Sequence, residues 1–365
     1  MNQTPEKITL LQLGIIILLF SIGTSILLIP SGLATIAKQD AWLACLVSIG
    51  MGLLLIFFYQ KLAKMFPNKT FVEYCIIILG KWVGIFVALM FVLFSFVGAA
   101  TALFYQGDFV VTHVLPGTPI EMANLLFVLP VIMAVRIGIE TIGRSAEILV
   151  PWVMLLFALL VIAILPQIEM TNIQPIYETG VKPIIHGALS FASIGYLPCI
   201  VFSMILPSVN LITSIKKPFY VSFFISGIFM AIITFLCITV LGAEYTARGM
   251  YPSYDLAKKI NIGNFIQRIE ALIAAIWFIT TYFKVLIYFY AFVLGTAQIF
   301  GMKNYRPIVF PSAILLVALS YDIYPDTVYA SEWNSTIWVP FTLTFGLFLP
   351  IALLVVAKIR EKVKT

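Results

Sequence analysis

Uncharged apolar stretches, set apart by short polar segments, run the length of the chain. No Asp, Glu, Lys, Arg or His occurs in 8–37, 82–107, 187–215, 218–243 or 333–357. Each stretch exceeds the roughly 18 residues at which an apolar run reads as a membrane-crossing helix. The pattern predicts an all-α integral membrane protein with ten spans, near 10–36, 41–60, 83–107, 122–139, 147–165, 184–206, 218–241, 267–290, 308–321 and 336–357. The fourth and ninth are short for a bilayer that takes about 20 helical residues. They are expected to tilt little beneath covering neighbours, or to sit where the bilayer thins.

Composition sharpens the class. Of 365 residues, 62% are hydrophobic and 10% charged, against roughly 25% charged in a soluble domain. Length alone would suggest two soluble domains. Hydropathy overrides it, because backbone in lipid has to satisfy its polar groups within helices. The expected organisation is one transmembrane domain of two five-span halves, near 8–165 and 181–357, with spans 1 and 6 broken. The longest segments between spans, 166–183 and 242–266, are too short for a further domain. In the second, Tyr251-Pro252-Ser253 leads into the polar stretch Asp255 to Asn264, a surface-helix pattern. The first apolar run is longer than a signal-peptide core of about 7–15 residues and ends in no small-x-small cleavage site, so no leader is expected.

The formal charge of +6 is spread between the spans rather than gathered in a patch, which argues against a nucleic-acid partner. With the N-terminus inside, fifteen Lys and Arg fall in inner segments and five in outer ones. The outer loop 321–335 carries Asp322, Asp326 and Glu332 with no cation. That asymmetry predicts an inward N-terminus, and an even number of spans returns the C-terminus to the same side.

Two spans contain helix-breaking clusters. Span 1 has Ser21-Ile22-Gly23-Thr24-Ser25 and then Pro30-Ser31-Gly32; span 6 has Ser190 to Tyr196 and then Pro198. Glycine costs a helix interior about 1 kcal/mol and proline about 3. Unwound backbone survives in a membrane where it is buried in protein or lines a wet cavity. Spans 1 and 6 open the two halves, and interrupted helices at matching positions point to a midplane site. There, half-helix N-termini face an anionic group and freed carbonyls face a cationic one. Close packing also favours small residues in membrane helices, and that reading stays open for each cluster.

Span 8 places Lys284 among uncharged residues, on a stripe with Glu270, Trp277, Thr281 and Tyr288, and with Thr280 beside it. The amine either snorkels to the inner surface or points inward, where it takes the place of a bound cation. The four cysteines have no metal-ligand spacing and read as small hydrophobes. His113 and His186 are far apart, and no zinc site, nucleophilic triad, phosphate-binding glycine loop or intramembrane acid relay is present in the pattern. The chain is expected to be no enzyme and to need no cofactor or metal.

Three stretches carry a family resemblance. EKITLLQLGIIILLFSIGTSILLIPSGLATIAKQDAWL (6–43), NFIQRIEALIAAIWFITTYFKVLIYFYAFVLGTAQIFG (264–301) and Gly80-Lys81-Trp82 resemble the B-subunit family of spore germinant receptors. That family is similar in fold to the amino acid–polyamine–organocation transporters, with ten core spans in two inverted repeats. The resemblance implies a small nutrient, usually an amino acid, bound near the midplane. Carried over by position, its ligand would meet Gly23, Thr24 and Ser25 in span 1, Gly98 and Ala99 in span 3, Ser193, Gly195 and Tyr196 in span 6, and Thr280, Thr281 and Lys284 in span 8. The carboxylate would meet the helix ends and the ammonium the carbonyls and hydroxyls, with Tyr196 and Trp277 sorting side chains by size. It further implies partner A and C subunits in the inner membrane of a dormant spore. A proton-coupled amino acid transporter of the same fold is the alternative, since fold does not decide function; a scaffold with a vestigial pocket is a third reading.

Overall fold

The computed structural model describes residues 7–210, 215–259 and 270–364. Among them, regular structure is helical apart from an isolated bridge between Ile8 and Val209. A capping box opens the chain. Thr9 accepts the amide of Gln12, while the Gln12 side chain accepts that of Thr9, starting α1 (Leu10–Ile22). The helix stops at Gly23, whose φ of +22° suits a residue without a Cβ. After it come α2 (Ser25–Ala37) and α3 (Ala41–Met65). A second capping box, Thr70 with Glu73, starts the short α4 (Phe71–Leu79). Next are α5 (Lys81–Phe109), ending in a π-turn at Val110–Val114, α6 (Ile120–Ile137) and α7 (Ile139–Ile164).

The second half begins with α8 (Val181–Gly195), which passes into a 3-10 stretch, Leu197–Met204. It continues through α9 (Lys216–Leu241), the short α10 (Ala243–Arg248) and α11 (Pro252–Lys258), α12 (Glu270–Ile299) and α13 (Val309–Asp322). The chain finishes with α14 (Thr327–Thr336), α15 (Trp338–Leu343), a π-turn at Thr344–Phe348, and α16 (Leu349–Lys364). Among the described residues, eight helical stretches are long and apolar enough to cross a membrane, or nine when the 98° bent pair Arg306–Asp322 and Thr327–Thr336 counts as one. In that count α2 and α3 form one continuous stretch, and α1 is a shorter apolar helix.

Three local features differ from the sequence expectation. α4 lies in the segment assigned to an inner loop, because its capping box organises a short apolar run. α14 lies in the expected outer loop, where Asp326 accepts the Tyr329 amide at 2.7 Å and nucleates a turn. The expected surface helix near 255–264 starts earlier, at Pro252, since proline suits the first helical turn, and it is buried at Pro252, Ser253, Tyr254, Leu256 and Ala257 rather than lying on the surface; the segment 260–264 lies outside the described residues.

α12 forms the centre of the bundle, packed on α1, α5 and α7, while α3 packs on α8 and α9. Trp277, Tyr288, Tyr196, Phe20 and Phe94 are wholly enclosed. Large apolar side chains such as Leu54, Phe86, Trp152 and Ile314 stay exposed on the perimeter, the arrangement of a protein whose outer solvent is hydrocarbon.

The prolines inside the bundle show how broken backbone is satisfied. Pro30 lies within α2, which runs on through it. Its missing N–H leaves the Ile26 carbonyl without a helical partner, and Ser253 of α11 donates to that oxygen at 2.7 Å. The true break in span 1 is therefore at Gly23–Thr24. In span 6, Pro198 likewise orphans the carbonyl of Ile194, and Tyr59 of α3 ties down the adjoining 3-10 stretch. The Tyr59 hydroxyl is 3.0 Å from Leu197 O and 2.7 Å from Gly346 O, joining that stretch to the last span. Tyr59→Phe removes this link without removing volume. It is expected to lower unfolding stability by about 1–3 kcal/mol, read as a lower melting temperature of the detergent-solubilised protein; an unchanged melting point would contradict the role.

Candidate functional site

Both broken spans converge on Lys284 of α12. Its side chain is 3% exposed and does not reach either surface. The amine donates to the orphaned Ile194 carbonyl at 2.9 Å and lies 5.4 Å from the centre of the Phe20 ring. The stem runs across the other break: a Cβ at Gly23 would stand 2.6 Å from Lys284 Cδ. Glycine at 23 is thus required twice, by its φ and by the lysine passing over it. An N–H donor at the C-terminal end of α8 also complements the partial negative charge of that helix end. Thr280, one turn before Lys284, donates at 2.9 Å to Ile276 O and lies 3.4 Å from Gly23 O.

Beside Lys284 is a small cavity of about 20 Å³, room for a single water. Its walls include Thr24, Gly98, Ala102, Tyr288 and Trp338. Gly98 admits the Tyr288 ring, since a Cβ there would lie 2.7 Å from it. Trp338 of α15 donates from Nε1 to Ser193 O at 3.2 Å, closing the floor of the α8 break. On the other side lies a vestibule of about 250 Å³ lined with hydroxyls, among them Ser31, Thr35, Ser190 and Ser331. Tyr105 and Asn334 line both spaces. Asn334 donates from Nδ2 to the Tyr105 hydroxyl at 2.6 Å, so this one bond lies between cavity and vestibule. Larger grooves, such as that of about 440 Å³ between α1 and α9, open onto exposed apolar faces and offer few polar groups.

The structure gathers some of the sequence candidates and separates others. Thr24, Gly98 and Lys284 line the cavity, and Gly23 and Thr280 support it. Ser193 contributes its carbonyl, while its hydroxyl donates to Ser190 O at 2.7 Å. Ser25 turns to Ser21 O, Gly195 packs against Phe191, and Thr281 is buried with no partner for its hydroxyl. Ala99 is buried outside the cavity wall. Tyr196 points away: its hydroxyl donates to Phe223 O at 2.9 Å, and its ring lies against Phe223 and Gly52. Trp277 packs on Phe109 and Tyr251 instead of lining the cavity. Tyr288 stood in the lysine stripe, but Thr101, Tyr105, Asn334 and Trp338 carried no signal in the sequence. Asn334 sits in a segment that reads as a loop, and only the bend before α14 brings it over span 3.

The comparisons agree with this architecture. Residues 7–328 match the Spore_permease family, described as spore germination protein. Spore germination protein KB of Bacillus subtilis (strain 168) is 31% identical over 98% of this chain and 97% of its own length. Spore germination protein GerLB of Bacillus cereus is 25% identical over 98% of this chain and 96% of its own. Among solved structures, Mhp1, a nucleobase-cation-symport-1 family transporter in a closed conformation with bromovinylhydantoin bound, superposes with a TM-score of 0.65 at 12% identity. The match covers 90% of this chain and 75% of that one. A manganese transporter from Eremococcus coleocola gives a TM-score of 0.55 at 12% identity, over 93% and 78%. The chain therefore has a transporter fold.

Proposed function

This chain belongs to the Spore_permease family of spore germination proteins, and on that premise we propose that it is the membrane subunit of a nutrient germinant receptor. It is an integral membrane protein of spore-forming bacteria. In this reading ten spans form two inverted repeats, near 8–165 and 181–357, with both termini in the cytoplasm of the spore and the chain in its inner membrane beside A and C subunits. An amino acid or similar small nutrient binds at the cavity formed by Thr24, Gly98, Lys284 and Tyr288, under the supporting breaks at Gly23 and Ser193–Gly195. Ser25, Ala99, Tyr196 and Thr281 shape the packing around it.

One observation carries the proposal: two broken spans are joined by a single buried lysine next to a small cavity. A ligand changes the state of such a site only by binding one conformation better than the other. The cavity is too small for a nutrient, so the bound form requires its walls to move, and in this reading Tyr105 and Asn334 part. Asn334→Ala is expected to raise the rate at which a membrane-impermeant thiol reagent labels Thr101→Cys by about five- to tenfold, the worth of one hydrogen bond. An unchanged rate would remove Asn334 as the barrier.

The fold match to transporters favours a second reading, a proton-coupled amino acid transporter. Purified protein in liposomes separates the two. Saturable binding of labelled amino acids without accumulation, lost in Ala102→Leu, which fills the cavity, supports the receptor. Accumulation driven by a pH gradient makes the chain a transporter. Binding that survives Ala102→Leu places the ligand elsewhere.

A further inference from the structure

The site holds hydrogen-bond donors without acceptors. Four carbonyls near the breaks already meet a protein group. Ile194 O accepts from Lys284, Ser193 O from Trp338, and Gly195 O from Cys199 Sγ at 3.5 Å, while Thr280 lies 3.4 Å from Gly23 O. Donors remain. A lysine side chain offers two N–H bonds as an amine and three as an ammonium, and Lys284 directs one to Ile194. Tyr288 stands in the cavity wall, and its buried hydroxyl has no partner. α2 starts at the cavity wall with no side-chain cap on its N-terminus. Among the described residues, no Asp or Glu lines either the cavity or the vestibule, and Lys284 forms no ion pair.

An ammonium entering this space would meet the Lys284 amine and no carboxylate. A carboxylate would meet the unpaired amine, an unused phenol and a helix N-terminus, all belonging to residues at the wall of one small volume. We propose that the cavity recognises the carboxylate of its ligand through Lys284 and Tyr288, and that the ligand's α-ammonium is dispensable. The ligand class is small carboxylic acids substituted at carbon 2, hydroxy acids as well as amino acids. This rests on the nutrient-site reading and narrows it. The charge balance gives the reason: a buried lysine is costly to hold charged without a partner, and the ligand's anion supplies the partner that the protein lacks. A carboxylate can accept from the amine and the phenol together, whereas an amide carries no charge to pair.

The test uses the full-length protein in detergent and compares three probe sets by equilibrium binding: glycine, alanine, serine, valine and leucine; the amides of these five; and the 2-hydroxy acids with the same side chains, with xylose and uridine as uncharged controls. Amino acids and hydroxy acids are expected to bind within about tenfold of each other, and amides about 100-fold more weakly, as loss of a charge-assisted contact predicts. Tyr288→Phe is expected to weaken both acid sets about tenfold and to narrow the gap between acid and amide. A merely structural tyrosine would leave that gap unchanged. Amides binding as well as acids would overturn the assignment, as would amino acids binding where hydroxy acids do not. Binding of xylose or uridine with no response to any acid would overturn the anion site but leave the nutrient site standing. Silence from every probe would overturn both.

Discussion

Lys284→Met is expected to yield a protein that folds and melts close to the parent, yet binds its ligand at least 100-fold more weakly. Two effects oppose each other in the folded state. The substitution leaves Ile194 O without its donor, a loss of about 1–3 kcal/mol for a buried polar group. It also removes an ionisable amine enclosed without an acidic partner, and replacing buried ionic groups by apolar ones of similar volume is often neutral or stabilising by about 1–4 kcal/mol. The methionine stem is flexible enough to follow the lysine path over Gly23 and against Phe20. Lys284→Ala differs, because it empties the space where α12 crosses the span 1 break. Large-to-small changes in a packed interior cost about 2–5 kcal/mol, so the alanine variant is expected to melt well below the methionine one. Melting temperature and equilibrium binding, measured on both variants in the same detergent, check the pair. Normal binding by the methionine variant would show that the amine does not touch the ligand.

Gly346→Val is expected to prevent recovery of folded protein. Gly346 lies in the π-turn between α15 and α16, where the last span rests on the 3-10 stretch of span 6. A Cβ there would lie 2.5 Å from Leu197 O and 2.9 Å from Leu197 C. Those are backbone atoms, held in place by the Tyr59 hydroxyl, and they cannot swing aside as a side-chain tip would. Overpacking a close-packed core costs about 1–3 kcal/mol even where side chains can adjust. Here the cost is expected to exceed about 3 kcal/mol, because the backbone of a break has to move. Gly50→Val is the control: Gly50 lies in α3 with nothing within 4 Å of a Cβ, and helix propensity slightly favours valine. Size-exclusion profile and melting temperature distinguish the two variants. A monodisperse Gly346→Val protein with the parent's melting point would refute the close contact.

The positions of the helix breaks were partly legible. Gly23 and Pro198 act as their residue types require, one by a positive φ and one by a missing N–H. Pro30 looked equivalent and is not, since Ser253 satisfies the carbonyl it orphans and α2 continues. The two residues are 223 positions apart, and no helical period relates them. Tyr196 shows the same limit from the other side. Its place at the break of span 6 suggested a pocket residue, but a residue at a helix end can face any neighbour, and Phe223 O supplied the acceptor.

By itself the sequence determined the solvent, the helical class and which backbone groups would need outside help. Uncharged runs longer than 20 residues leave helices as the structure that satisfies their own backbone in lipid, and each proline names the carbonyl four residues before it. Tertiary structure decided which side chain answers each carbonyl, which aromatic ring enters the cavity and which turns away, and that an asparagine beyond a 98° bend sits against Tyr105. Those outcomes depend on which helix faces meet. Backbone demands are local and read from a few neighbouring residues; the groups that meet them come from segments folded in from far along the chain.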